Sequence, residues 1–137
     1  MTEPQNETFL DECWSLYFHD PDDSEWTLNS YKLIGTISTI EDWAQMDIAF
    51  VNLWQKGMFF IMKEYISPLW EDENNKRGGC ISFKINKPEI SEFWYRMNSL
   101  LLGRKIGKTD EVNDNISGIS ISPKRNYCII RIWISEN

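Results

Sequence analysis

Between two short apolar runs, residues 58–62 (MFFIM) and 80–85 (CISFKI), the chain inserts residues 68–79, PLWEDENNKRGG. Nearly every residue after Leu69 in that stretch is polar or glycine, which excludes a buried strand or helix and makes it a long loop. The run before it then reads as a continuously apolar strand and the run after it as an alternating, half-buried one. A tryptophan in such polar company is not placed for a core. The face of Trp70 is open to a flat ligand, and Glu71 beside it offers two acceptor oxygens. A flat ring with adjacent N–H donors on one edge is a guanine.

Composition narrows the setting. The 137 residues predict one domain, and 42% hydrophobic with 14% aromatic content predicts a folded, globular one. There is no apolar run of membrane-spanning length, and MTEPQNETFLDE is too acidic and polar for a signal peptide, so no membrane association is expected. Three cysteines, Cys13, Cys80 and Cys128, form no CxxC and leave one over under any pairing. A structural zinc or a disulfide frame is not expected, and a reducing cytoplasmic or nuclear compartment fits. The net charge of −7 excludes a general nucleic-acid binder, though not recognition of one nucleotide at a chain end. With one histidine, His19, triads and multi-histidine metal sites have little material. No cofactor is expected.

In chain order, residues 1–11 read as a mobile tail and residues 12–137 as a single domain. Residues 13–18 (CWSLYF) read as a strand, 20–25 (DPDDSE) as an acidic turn delivering Trp26, and 31–37 as a second strand. Ser38 and Glu41 form a Ser-x-x-Glu capping box. Ile40, Trp43, Ala44, Phe50, Val51 and Trp54 follow at near-helical spacing, with Gly57 as the stop. Pro88 opens a second helix whose stripe is Ile90, Phe93, Trp94, Met97, Leu100 and Leu101, closing at Gly103. Residues 103–115 read as a charged loop. Residues 116–122 and 127–134 form a hairpin about the turn 123–126. The order β-β-α-β-β-α-β-β predicts an α+β fold, a mainly antiparallel sheet with helices on one face.

These residues resemble the eukaryotic translation initiation factor 4E family, the mRNA cap-binding proteins. WEDENNKRGG carries most of the resemblance. WSLYF, Trp26 after its acidic loop, TIEDW, the FW and LLG of the second helix, and Trp133 on the last strand lie in register around it, over roughly residues 8 to 136. The resemblance implies a curved sheet with helices on its convex face and the cap slot on its concave side. It further implies that Trp26 and Trp70 stack on 7-methylguanine, that Glu71 takes its Watson–Crick edge, and that Trp133 lies near the N7-methyl group. Cap phosphates would meet Lys124, Arg125 and Arg131, the last alternating with Trp133 and so facing the same way. The family's usual phosphate-binding cations are replaced by Cys80 and Ile129, and its final helix and strands are absent. A helical peptide of a scaffold initiation factor or repressor would dock at Ile40, Trp43, Tyr95, Ser99, Leu102 and Gly103. Trp14, Trp43, Trp54 and Trp94 read as core or partner-facing, and Asp72 and Glu73 as solvated loop acids. The function expected is non-enzymatic cap binding in translation initiation, or cap sequestration against it. An alternative from another class is a Mg²⁺-dependent nucleotide hydrolase, with Glu71, Asp72 and Glu73 as ligands.

Overall fold

The structure, a computed structural model, describes residues 7–136. Its elements are β1 (Phe9–His19), β2 (Tyr31–Thr39), α1 (Ile40–Phe50), β3 (Met58–Lys63), β4 (Gly79–Asn86), α2 (Ile90–Leu102), α3 (Asp110–Asp114), β5 (Ile116–Pro123) and β6 (Tyr127–Ile134). The six strands form one antiparallel sheet in the order β2-β1-β3-β5-β6-β4. The expected α+β class with a curved antiparallel sheet is the one observed. β4 follows β3 in sequence but sits three strand spacings away, about 14 Å, at the sheet edge. The loop 68–79 bridges that gap, which is why it is long.

Strand alternation sorts the residues onto two faces. Trp14 and Leu16 of β1, Phe59 and Ile61 of β3, Ile119 and Ile121 of β5, and Cys128, Ile130 and Ile132 of β6 are buried in one cluster. The helices complete it with Trp43, Ile90, Trp94, Leu101 and Leu102, and Trp54 joins from the turn after α1. The opposite face carries a smaller cluster, Phe60, Met62, Ile66 and Trp133, flanked by Tyr17, Tyr31 and Met58. Two-faced burial at period two fixes the register, because a slip of one residue would exchange the faces.

Several boundaries differ from the sequence reading. β1 starts at Phe9, so residues 9–11 belong to the sheet rather than to a tail, while residues 1–6 lie outside the described residues. The α1 capping box is Thr39 with Asp42, one residue on from Ser38 and Glu41. Asp42 N–H donates to Thr39 Oγ1 (2.9 Å), and the Asp42 carboxylate accepts from the Ser38 and Thr39 N–H groups. Glu41 instead accepts from Thr8 N–H (2.8 Å), tying the helix start to the approach of β1. α1 ends at Phe50, well before Gly57. At the end of α2, Gly103 keeps a negative φ and the left-handed position falls on Arg104 (φ 58°). Arg104 is held by charge, donating to Glu12 (2.9 Å) and Asp114 (2.6 Å). The charged loop after α2 thus contains the short α3, capped by Thr109. All three cysteines are free thiols. No helix among the described residues is long and apolar enough to cross a membrane.

Candidate functional site

Trp26, Tyr31, Met58, Phe60, Trp70, Glu71, Arg131 and Trp133 line one cavity of about 340 Å³ on the sheet face opposite the helices, with Pro68, Leu69, Cys80, Ser120 and Ser122. That volume is at the small end for ligand pockets. The two loop tryptophans, Trp26 and Trp70, are each about half exposed, at 48% and 47%. Trp133 is buried and donates its indole N–H to Ser120 Oγ (3.0 Å). Trp70 meets Trp133 edge-on at 5.6 Å, and Phe60 meets it from another side at 6.1 Å. Trp133 is therefore a fixed wall, and Trp70 stands on it with surface to spare.

The loop that presents Trp70 and Glu71 is bonded to itself. The Asp72 carboxylate accepts from Ser67 N–H (3.1 Å), Ser67 Oγ–H (2.7 Å), Asn74 N–H (2.8 Å) and Asn74 Nδ2–H (2.9 Å). Burial pushes the Asp72 pKa up, but these four donors outweigh it and hold the carboxyl below its ordinary range. The expectation of a merely solvated acid fails here, because Asp72 is the knot of the loop. Buried Asn75 adds Nδ2–H bonds to Ser67 O (3.1 Å) and Leu69 O (2.8 Å). A side chain at Gly78 would strike the backbone of Ile134 and Ser135, so only glycine lets the loop close against β6. Glu73 reaches out to Lys76 (2.7 Å). With Asp72 committed to the loop and Glu73 paired outward, Glu71, Asp72 and Glu73 do not converge, and no group of three or more metal-ligating side chains occurs among the described residues. The Mg²⁺-hydrolase alternative loses its ligand set.

Glu71 stands near Tyr31 on the other side of the cavity. Burial and, behind it, the Glu71 charge push the Tyr31 phenol up to about 12. A carboxylate with free lone pairs beside two indole faces can take two adjacent N–H donors on the edge of a stacked ring.

Of the expected cations, Arg131 lines the cavity, whereas Lys124 and Arg125 sit in the exposed β5–β6 turn outside its wall. Cys80 occupies the wall opposite Trp133 in the β4–β6 register. On the helical side, Ile40, Tyr95 and Gly103 are exposed, but Trp43 and Leu102 are buried, at 1% and 2%, and present no docking surface. Trp43 stacks on Tyr95 (6.0 Å) and donates to Ser99 Oγ (3.3 Å). Sequence reasoning missed the strand-borne wall, Tyr31, Met58, Phe60, Ser120 and Ser122. The period-two alternation that put Arg131 with Trp133 applies equally to Met58 with Phe60 and Ser120 with Ser122. It also missed His19, the last residue of β1, fully buried and stacked on Trp26 at 3.9 Å and 3°.

A curved antiparallel sheet backed by helices, with an aromatic-lined cavity and one carboxylate on its free face, defines a class of α+β protein. The chain belongs to one family of that class, eukaryotic initiation factor 4E, which it matches over residues 9–137. It is 31% identical to eukaryotic translation initiation factor 4E of Xenopus laevis and 30% identical to that of Homo sapiens, in each case over 134 residues and 93% of this chain. It spans 62% and 60% of those relatives' lengths. In fold it superposes on a schistosome eIF4E complexed with m7GpppG and 4E-BP, with a TM-score of 0.85 at 22% identity over 97% of this chain and 75% of that one. Ascaris suum eIF4E-3 with m7G cap gives 0.80 at 21% identity, over 96% and 75%.

Proposed function

We propose that this chain binds the 7-methylguanosine cap of mRNA without chemically altering it, in translation initiation. The observation that carries the reading is that Trp26, Trp70, Glu71 and Trp133, from two loops and a strand distant in sequence, line a single cavity. In this reading the methylated base lies between Trp26 and Trp70, Glu71 accepts from N1–H and N2–H, and Trp133 faces the methyl group. Stacking contributes on the order of 1–3 kcal/mol per base. The positive charge that N7 methylation gives the ring adds a cation–π attraction of about 2 kcal/mol, and this second part separates capped from unmethylated guanine. Arg131 neutralises the phosphate nearest the base. Lys124 and Arg125 reach only phosphates further along the chain.

Titration with 7-methyl-GTP beside GTP, followed by tryptophan emission, tests the reading. Strong quenching by the methylated nucleotide alone is expected, and equal response to both removes the cation–π argument. A helical scaffold or repressor peptide would meet a surface reduced to Ile40, Tyr95 and Gly103, with Trp43 and Leu102 withdrawn. Weak capture of the scaffold factor on cap resin is therefore expected. The place of action in this reading is the cytoplasm.

A further inference from the structure

His19 is fully buried, yet both of its ring nitrogens face backbone carbonyls of the loop that delivers Trp26. Nδ1 lies 2.8 Å from Asp20 O and Nε2 lies 2.6 Å from Glu25 O. A carbonyl oxygen only accepts, and a neutral imidazole carries one N–H. Both contacts are hydrogen bonds only when both nitrogens carry protons. The same ring lies flat under Trp26, at 3.9 Å, and meets Tyr31 edge-on at 4.8 Å. Trp26 thus has one face on His19 while the indole still lines the cavity.

From this arrangement we infer that His19 is a positioning residue which, as an imidazolium, clamps both ends of the loop 20–25 and sets Trp26 for the ligand, making base binding proton-dependent. The inference rests on the cap-binding reading for its ligand and on geometry alone for the clamp. The elements packed against the ring carry carboxylates and neutral groups. The loop contributes the carboxylates of Asp20, Asp22, Asp23 and Glu25, of which Asp20 and Asp23 cap loop N–H groups and Glu25 accepts from the Thr27 hydroxyl. β2 contributes the Tyr31 phenol, neutral because its pKa lies at about 12. β3 contributes Met58, the His19 register partner, which carries no charge. Glu71 stands near Tyr31, one residue further from the ring. Removing a proton turns one N–H···O bond into two lone pairs facing each other, and the loop loses that end. A cationic base on the far face of Trp26 repels the imidazolium through the indole, but two short charge-assisted bonds outweigh that repulsion.

The test uses the full chain, in which His19 is the one histidine. Long-range ¹H–¹⁵N spectra of the ligand-free protein are recorded across a pH series, with tryptophan emission of wild type, His19→Phe and Trp26→Phe in parallel. Two protonated ring nitrogens are expected at low pH, with a one-proton step in emission, from imidazolium quenching of the stacked indole, that vanishes in both variants. One bare ring nitrogen throughout, or emission indifferent to that proton, overturns the inference. With 7-methyl-GTP, His19→Phe keeps a flat ring under Trp26 but loses both bonds, and is expected to bind at least tenfold more weakly than wild type at low pH, a tenfold change being about 1.4 kcal/mol. The gap narrows as pH rises through the step, leaving what the one remaining N–H···O bond contributes, and the ligand's own ionisation cancels because both proteins see it. A gap that is constant with pH overturns the inference. Failure of 7-methyl-GTP to bind at any pH would instead overturn the cap reading, since the ligand-free spectra decide the clamp by themselves.

Discussion

Replacing Asp72 by Asn tests whether the loop under Trp70 is held by one carboxylate. Asp72 Oδ2 accepts from Ser67 N–H and Oγ–H, and Oδ1 from Asn74 N–H and Nδ2–H. The amide must turn its NH₂ toward one pair. The Ser67 hydroxyl and the Asn74 side chain can reorient to accept, but the two backbone N–H groups cannot. One backbone donor therefore loses its partner, which costs about 1–3 kcal/mol. The bonds on the other side lose their charge assistance, and water reaching this half-buried loop recovers part of the whole. We expect a net loss of about 2 kcal/mol, or roughly thirtyfold in the equilibrium for loop opening. Amide hydrogen exchange at Ser67 and Asn74 should quicken by that factor, while strand amides such as Ile61 and Ile130 stay protected. Glu73→Gln is the matched control, since Glu73 is fully exposed and bonded only to Lys76. Unchanged exchange in Asp72→Asn, or equal change in the two variants, would refute the reasoning.

The remaining predictions use other parts of the site. Because the folded protein holds Asp72 below its ordinary value of 3.8, the stability it contributes is present above that value and is lost as pH falls through the folded one, so Ser67 and Asn74 exchange should quicken in acid. Tyr31 is raised from 10.0 to about 12, so its contribution is complete below pH 10 and is lost as pH rises toward 12. Tyr65 is raised too, by burial and by the Glu12 and Asp114 charges, but only the Tyr31 step should move earlier in phenolate absorbance on Glu71→Gln, and no such movement would mean that Glu71 does not face Tyr31. Glu71→Gln should also weaken 7-methyl-GTP binding by roughly 1.5–3 kcal/mol, and an unchanged dissociation constant would remove it as the base reader. With Arg131 the one expected cation in the cavity wall, affinity should fall little from 7-methyl-GTP to 7-methyl-GMP, with a log–log salt slope of about −1. A steep slope would mean that Lys124 and Arg125 also grip phosphate.

Local periodicity carried the fold a long way. The continuous apolar run of β3, the alternation of β6 and the stripe of α2 each signal one element, and their order leaves few antiparallel arrangements. The capping box sits one residue beyond Ser38 because Ser38-x-x-Glu41 and Thr39-x-x-Asp42 overlap in sequence, and only the extension of β2 to Thr39 decides between them. α3 escaped notice because five residues show no period, and Arg104 fixes it through Glu12, 92 residues away in sequence. Leu100 has the spacing of the buried stripe of α2 but is exposed, whereas polar Asn98 is buried, its Nδ2–H on Trp94 O (3.0 Å). In the site, Trp70 and Glu71 stood out because a polar loop displays them. His19 did not, because its partners, Glu25 O and the Trp26 ring, reach it only once the loop folds back.

The bonds that shape the loop 68–79 run mostly within it or to its immediate threshold at Ser67: Asp72 to Ser67 and Asn74, Asn75 to Ser67 and Leu69, and Gly78 N–H to Asn75 O (3.0 Å). What it asks of the sheet is small, a close approach of Gly78 to β6 and the Ser117 hydroxyl on Asn74 O (3.4 Å). The segment is therefore a cassette. Moved with Ser67 onto another antiparallel sheet whose strand backbone Gly78 can approach as closely and that has a tryptophan on that strand, it would carry the poses of Trp70 and Glu71 with it, as a portable half of a ring-binding slot.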